Sequence, residues 1–283
     1  MEEKKDFYIG EDGLEYCSKC HTPREKELPS PFGNSKPFKV HFMCKCQRKA
    51  YEVEQAERAR REFDEMVSRN RMVCFHAKRM YDWTFANDDG MNPASDKVKA
   101  YVDAWDEMKR SNIGLLIWGG VGSGKTYLAS AVANELLNQG KKVLFRDFAE
   151  VSSVSMFDMD DYVKSLDAYD LLVLDDLGAE RKSEFALQNV FNVVNRRWVS
   201  GKPLIVTTNL SIKDMKELSA KEDLQYQRIY DRIFDMCTPI CVNGRSRRAG
   251  HSNIDITMNR YVHTTEDEKR REMMSISESL KVI

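Results

Sequence analysis

The residues with the clearest chemistry form a glycine-rich run that ends in lysine and threonine. Residues 119–126 read Gly-Gly-Val-Gly-Ser-Gly-Lys-Thr and match the phosphate-binding template G-x-x-x-x-G-K-[ST]. Glycines let the backbone turn tightly so that its N–H groups face phosphate oxygens, and Lys125 is expected to reach the β- and γ-phosphates of ATP. The Thr126 hydroxyl is expected to ligate Mg²⁺. The predicted nucleotide-binding residues are Gly119, Gly120, Val121, Gly122, Ser123, Gly124, Lys125 and Thr126.

Polar residues also follow two later apolar runs of the sequence. Asp175 and Asp176 come directly after one run, and Asn209 comes at the end of the next. Asp175 is expected to hold Mg²⁺ opposite Thr126, Asp176 to orient or deprotonate the attacking water, and Asn209 to contact the γ-phosphate or that water. Two alternatives stay open here: the acids could cap a helix, and the asparagine could simply close a turn.

Arginines are the third group with a candidate role in catalysis. Arg228 and Arg232 lie four residues apart on a predicted helix, and the glycine-rich run contains no arginine. An arginine supplied by a neighbouring subunit would neutralise charge in phosphoryl transfer, and Arg232 is the leading candidate. The alternative is an ordinary surface helix with an ion pair through Asp231.

Four of the seven cysteines cluster near the start of the chain, in a C-x-x-C pair followed by C-x-C. Four thiolates on two short loops suit a tetrahedral structural Zn²⁺ site, whereas an odd cysteine count in a chain without a secretory signal argues against a disulfide framework. Free reduced cysteines are the alternative. The predicted zinc ligands are Cys17, Cys20, Cys44 and Cys46, with His21 or His41 as substitutes.

The amino-acid composition of the chain excludes few classes of protein. The chain is 31% charged and 42% hydrophobic, which is ordinary for a soluble globular protein, and its net charge of −1 argues against a globally basic nucleic-acid-binding surface. The sequence lacks an apolar run of the ~18 residues that a membrane span requires. Its acidic and basic first residues do not resemble a signal peptide, so we expect a cytoplasmic protein.

Beyond residue 113, apolar strand-like runs alternate with helical patterns. This alternation predicts an α/β fold with a parallel sheet covered by helices on both faces. Trp83 and Phe85, before these runs, are expected to pack in the core, with a place beside the nucleotide base as the alternative. We expect a zinc-binding module over 1–50, a charged helix and linker over 51–94, an ATPase domain over 95–249 and a polar tail over 250–283.

Together these motifs resemble those of the DnaC/DnaI-type replicative helicase loaders, which are AAA+ ATPases common in phages and mobile elements. The resemblance covers residues 15–250 and includes Leu-Leu-Val-Leu-Asp-Asp-Leu-Gly-Ala-Glu, Val-Thr-Thr-Asn-Leu and Arg-Ile-Tyr-Asp-Arg. It implies a zinc module that docks on a hexameric replicative DNA helicase. It also implies an AAA+ P-loop module that binds ATP and Mg²⁺, self-associates and surrounds single-stranded DNA.

The same resemblance implies roles for single residues. Asp175 corresponds to the Walker B acid, Asn209 to sensor I, Arg232 to the arginine finger with Arg228 beside it, and Arg248 to sensor II. Many AAA+ proteins have glutamate where this chain has Asp176. That departure implies slow hydrolysis by a protein that acts as a switch.

Three other functions fit parts of the sequence. An IstB-type ATPase that assists a transposase shares the ATPase core but lacks the four-cysteine module. A small-molecule kinase would need an acceptor-binding insertion. A nucleotide-gated adaptor would bind ATP without hydrolysing it.

Overall fold

Two units make up the structure, a computed structural model that describes residues 6–30, 37–90, 92–178, 183–221 and 224–243. The contacts between residues divide the chain into Met1–Met66 and Val67–Ile283. Within the described ranges, no helix is long and apolar enough to cross a membrane.

The first unit consists of two small antiparallel strand pairs and most of a long helix. The pairs are β1 (Phe7–Ile9) with β2 (Glu15–Cys17), and β3 (Glu25–Leu28) with β4 (Phe38–His41). Helix α1 (Lys45–Cys74) has no glycine or proline, and most of its side chains are exposed. Its last turns belong to the second unit, where Val67 and Cys74 are buried.

A five-stranded parallel sheet forms the centre of the second unit and confirms the predicted α/β fold. Its strands are β5 (Gly114–Trp118), β6 (Val143–Asp147), β7 (Leu171–Leu177), β8 (Leu204–Thr208) and β9 (Cys237–Cys241). They lie in the order β6-β7-β8-β5-β9. Because most positions of β5, β6, β7 and β8 are buried, helices must cover both faces of the sheet.

Helices build a separate hydrophobic core on each face of this sheet. The helical segment from Ala94 to Arg110 is interrupted at Ala104, whose ψ of 18° leaves the helical range. The helices are α2 (Ala94–Asp103), α3 (Trp105–Arg110), α4 (Lys125–Asn138), α5 (Phe148–Ser152), α6 (Met159–Ser165), α7 (Glu184–Ser200), α8 (Ile212–Lys221) and α9 (Leu224–Met236), with 3₁₀ turns at Lys78–Asp82, Phe85–Asn87 and Leu166–Ala168.

The segment before α2 is bound to α4. The buried amide of Asn134 donates to the carbonyl oxygens of Met80 and Trp83 at 2.8 and 3.0 Å, and the Tyr127 hydroxyl donates to that of Thr84 at 2.8 Å. Trp83 and Phe85 pack against the core on this face, as the core-packing interpretation predicted.

One fully buried arginine holds the amino ends of two central strands. The Arg197 guanidinium on α7 donates to four backbone carbonyls, which lie just before β7 and β8. Burial lowers the pKa of Arg197 to about 10. The opposite, carboxyl ends of the same strands carry the acids and the amide predicted to act on the nucleotide. The four acceptors are the carbonyls of Leu166, Tyr169, Asp170 and Pro203.

Candidate nucleotide and zinc sites

The glycine-rich loop lies between the end of β5 and the start of α4, as predicted. At Gly119, with φ of 153°, a Cβ atom would lie 2.2 Å from the carbonyl oxygen of Val242, so only glycine fits. Gly124 is the N-cap of α4 with φ of 100°, in the left-handed region. A Cβ at Gly124 or Gly120 would meet no atom within 4 Å. This open space at a helix N-terminus fits phosphate groups, because free backbone N–H groups and the helix dipole both favour anions.

Lys125 connects this loop to the neighbouring strand. Its ammonium group donates to the carbonyl oxygens of Gly119 and Gly120 at 3.0 and 2.8 Å, and to Oδ1 of Asn209 at 2.7 Å. The side chain is buried, so its charge acts in a medium of low polarity. The lysine therefore holds a concentrated positive charge inside the loop that is predicted to bind phosphates.

Asp175 and Asp176 lie inside strand β7, which shows that the helix-cap alternative is wrong. Adjacent strand residues normally point to opposite faces of a sheet. Here the register between β7 and β8 shifts between Leu174 and Leu177, and Asp176 has φ of 64°. Such an irregularity re-aims side chains, so both acids reach residues of β8 and the segment just beyond it.

Thr207 on β8 is the residue that joins these two acids, and the sequence analysis did not identify it. Its hydroxyl donates to Oδ1 of Asp175 at 2.5 Å and accepts from the backbone N–H of Asp176 at 2.9 Å. The available signal was the pair of threonines, Thr207 and Thr208, that ends an apolar strand; Thr207 is only 1% exposed. Thr207 therefore holds the carboxylate of Asp175 and the backbone of Asp176, while the Asp176 carboxylate is held by Asn209.

Burial raises the pKa of the Asp175 carboxyl to about 6. Hydrogen bonds from the hydroxyls of Thr207 and Thr126 oppose this rise, the charge of Asp176 adds to it, and Lys125 also opposes it. A buried carboxylate that is costly to ionise gains strongly from a nearby cation. Contact with the Thr126 hydroxyl puts the two predicted Mg²⁺ ligands together, and hard oxygen donors of this kind suit Mg²⁺.

Asn209 completes a chain of contacts across the carboxyl edge of the sheet. Its Nδ2 donates to Oδ1 of Asp176 at 3.0 Å, while its Oδ1 accepts from Lys125. Its side chain therefore does more than close a turn. The structure brings Lys125, Asp175, Asp176 and Asn209 into one connected group, which has the charges needed to bind a metal–phosphate complex and the carboxylate needed to orient water.

The two arginines of α9 have different surroundings. The Arg232 guanidinium carbon lies 4.8 Å from the ring centre of Phe191 and 5.2 Å from that of Trp198, both on α7. Its Nη1 donates to the carbonyl oxygen of Arg228 at 3.4 Å, and Arg228 is itself exposed. Arg248 lies outside the described residues, so its predicted role stays a prediction.

All four predicted cysteine ligands come together in the first unit. Their Sγ atoms lie within 4.8 Å of one another, with Cys17–Cys46 and Cys44–Cys46 separations of 3.5 and 3.3 Å. Tetrahedral zinc with Zn–S bonds of about 2.3 Å separates its sulfur atoms by about 3.8 Å, so the cluster fits that ion. A hydrogen bond with the Thr22 hydroxyl lowers the pKa of the Cys20 thiol, whereas contacts with Cys44, Cys17 and Cys20 raise the pKa of Cys46. A bound Zn²⁺ would favour the thiolate form at all four positions.

The two histidines considered as substitute zinc ligands have other partners. His41 lies with Glu15 and Glu25, and its Nε2 is 3.0 Å from Oε1 of Glu25. His21 Nδ1 is 3.3 Å from the Tyr8 hydroxyl. The four cysteines therefore form a complete ligand set without either histidine.

Comparison with known proteins identifies a family and several relatives. The model of a family described as "IstB-like ATP binding protein" matches residues 45–254. The replicative helicase loader DnaC of Escherichia coli (strain K12) is 30% identical over 154 residues, which are 52% of this chain and 61% of that one. The matched region thus spans less than two thirds of that relative's length.

Two solved structures share the fold. A crystal structure of DnaI has a TM-score of 0.53 at 23% identity and covers 64% of this chain and 100% of that chain. A crystal structure of the DnaC helicase loader has a TM-score of 0.51 at 23% identity and covers 59% of this chain and 100% of that chain. At this level of identity, the likeness establishes the fold alone.

Proposed function

Because the chain belongs to the family of IstB-like ATP-binding proteins, with an AAA+ P-loop fold, we propose that it is an ATP-dependent loader of a replicative DNA helicase. The observation that carries the proposal is the presence, in one chain, of the connected Lys125–Asn209–Asp176 group and of the four-cysteine cluster. The first supports an ATPase. The second supports a separate, metal-stabilised docking unit.

In this proposal, different residues of the nucleotide site bind the phosphates, bind Mg²⁺ and orient the attacking water. Lys125 and the N–H groups of the glycine-rich loop hold the phosphates, and Thr126 and Asp175 hold Mg²⁺, which supplies charge neutralisation when bound. Asp176 and Asn209 orient the attacking water. Hydrolysis is slow because the Asp176 carboxylate is short and already accepts a hydrogen bond from Asn209.

The proposed partners are a hexameric replicative helicase, single-stranded DNA and further copies of this chain. DnaC, at 30% identity over 154 residues, is named as a replicative helicase loader. We propose that the first unit docks on the helicase, while the AAA+ unit self-associates and contacts single-stranded DNA in the ATP-bound state.

Two substitutions are expected to affect ATP binding and ATP hydrolysis differently. Lys125→Ala should abolish binding of ATP–Mg²⁺, because the phosphate charge is then unopposed inside the loop. Asp175→Asn should retain most of the ATP affinity but lose Mg²⁺-dependent turnover. Isothermal titration with ATP and a phosphate-release assay measure the two effects. Unchanged affinity in Lys125→Ala would disprove the P-loop assignment, and wild-type protein that binds ATP without releasing phosphate would be a nucleotide-gated adaptor.

Removal of the first unit is expected to abolish helicase binding and spare ATP binding. The truncated chain should begin at Val67, because the Arg71 guanidinium donates to the side chains of Asn134 and Asn138, and Val67 is buried in the second unit. Size-exclusion chromatography with the purified helicase of the host measures association, and titration with ATP confirms that the truncated protein is folded. A truncated chain that still co-elutes with the helicase would place the docking surface on the AAA+ unit.

The family description supports a second candidate, an ATPase that assists a transposase. Three of the four clustered cysteines lie outside residues 45–254, which that family model matches, so the cluster is an addition to the family core. Measuring the affinity for single-stranded and duplex oligonucleotides of equal length distinguishes the two functions. A transposase assistant should bind the duplex more tightly. A loader should prefer the single strand.

A further inference from the structure

Asn92 is a buried residue just before α2 that contacts the glycine-rich loop. Its Nδ2 donates to the backbone carbonyl oxygen of Ser123 at 3.3 Å, and its Oδ1 accepts from the backbone N–H of Ala94 at 3.0 Å. The side chain is only 6% exposed. Sequence analysis gave no role to this residue, which lies 31 positions before the serine that it contacts.

The carbonyl that accepts this hydrogen bond belongs to a peptide unit of the predicted phosphate site. The carbonyl of Ser123 and the N–H of Gly124 belong to the same planar peptide unit, and in a trans peptide they point in opposite directions. A donor that holds the Ser123 carbonyl on one side therefore directs the Gly124 N–H to the other side. Gly124 caps the N-terminus of α4, where phosphate binding is expected.

This peptide unit needs an external restraint. Gly124 has φ of 100° and a Cβ there would meet no atom within 4 Å, so neither a side chain nor packing at this position prevents the peptide from rotating. The neighbouring Ser123 side chain is buried, but its hydroxyl has no hydrogen-bond partner in the described structure. Asn92 supplies the restraint from a different segment of the chain.

We propose that Asn92 is a positioning residue for nucleotide binding, which orients the Gly124 N–H toward the phosphates. The inference rests on the proposed binding of ATP at the glycine-rich loop. Positioning of this kind stabilises the ground state and the transition state alike, so it should affect affinity more than the rate at saturation.

The test is the substitution Asn92→Asp, which keeps an oxygen to accept from Ala94 but removes the donor to Ser123. Affinity for ATP and for ADP, measured by isothermal titration, should fall about tenfold, the effect of losing one well-placed hydrogen bond. The variant should remain folded without nucleotide, with a melting temperature lowered by the buried carboxylate, as in the control variant below. The KM for ATP should rise while kcat changes less than twofold.

Two further variants separate positioning from folding. Asn92→Ser keeps a short oxygen that can accept from Ala94 but cannot reach Ser123, so it should repeat the loss of affinity. The matched control is Asn134→Asp, which also removes a buried amide donor to backbone carbonyls, outside the loop. It should lower the melting temperature and leave nucleotide affinity unchanged.

The outcomes distinguish this inference from the function on which it rests. Wild-type protein that binds neither ATP nor ADP would refute the proposed function itself. Wild-type affinity in folded Asn92→Asp and Asn92→Ser, with normal binding by the unmodified protein, would overturn the role of Asn92 alone. Loss of the nucleotide-free fold in both variants would assign Asn92 to folding and would overturn the proposal as well.

Discussion

Chelation of zinc from the reduced protein is expected to unfold the four-cysteine unit and to leave the nucleotide-binding unit folded. In the described part before α1, the buried residues are Cys17, Glu25 and Cys44, so two of the three belong to the cysteine cluster itself. Strands of three and four residues with such a small core are not stable alone. Structural zinc contributes ~10–16 kcal/mol of apparent binding free energy in small modules, enough to account for the fold.

Metal analysis of reduced protein should find one zinc per chain. Hydrogen exchange of peptides from residues 6–30 and 37–44 should accelerate strongly when a chelator is added, while peptides from the central sheet should not change. Cys17→Ser should reproduce the effect. Cys241→Ser is the matched control, because Cys241 lies on β9 in the second unit. Protein that contains no zinc, or whose exchange does not respond to chelation, would contradict the assignment.

Arg232→Ala is expected to bind ATP normally and to hydrolyse it ~10³–10⁵ times more slowly, the range known for arginine fingers. The glycine-rich loop supplies one lysine, whereas charge develops on three phosphoryl oxygens in the transition state. Stacking on Phe191 and Trp198 restricts the rotamers of Arg232. An arginine that is already ordered loses less entropy when it contacts a nucleotide, which in this proposal belongs to a neighbouring subunit.

Arg228→Ala is the matched control for this prediction, since Arg228 lies one turn away on the same helix and is exposed to solvent. We expect a smaller loss of turnover in Arg228→Ala. Activity of the wild type should rise faster than linearly with protein concentration, because each site is completed by its neighbour.

Mixing two inactive variants tests whether the arginine acts between subunits. Lys125→Ala does not bind ATP but still presents Arg232, so a mixture with Arg232→Ala should regain part of the lost phosphate release. Light scattering should confirm that the variants assemble. A mixture that assembles but shows only the summed activity of its components would mean that Arg232 acts within its own chain or has no catalytic role.

Sequence alone determined the parts of this protein that depend on local order. The run from Gly119 to Thr126 predicted a phosphate-binding loop, because its glycines, lysine and threonine lie within eight consecutive residues. The alternation of apolar strands with amphipathic helices predicted a parallel sheet, since each pattern reflects the burial of a single segment. Two cysteine pairs with short spacings predicted one cluster, and the structure brings all four sulfur atoms together.

Tertiary structure alone decided how distant residues meet. The shift in register between β7 and β8 turns Asp175 and Asp176 toward Thr207 and Asn209, and no pattern within either strand specifies that shift. The bond from Asn92 to the glycine-rich loop likewise joins segments far apart in the chain. The spacing of residues along the sequence indicates which side chains lie on the same strand or helix. Contacts between side chains on different segments depend instead on how the strands align and how the helices pack over them.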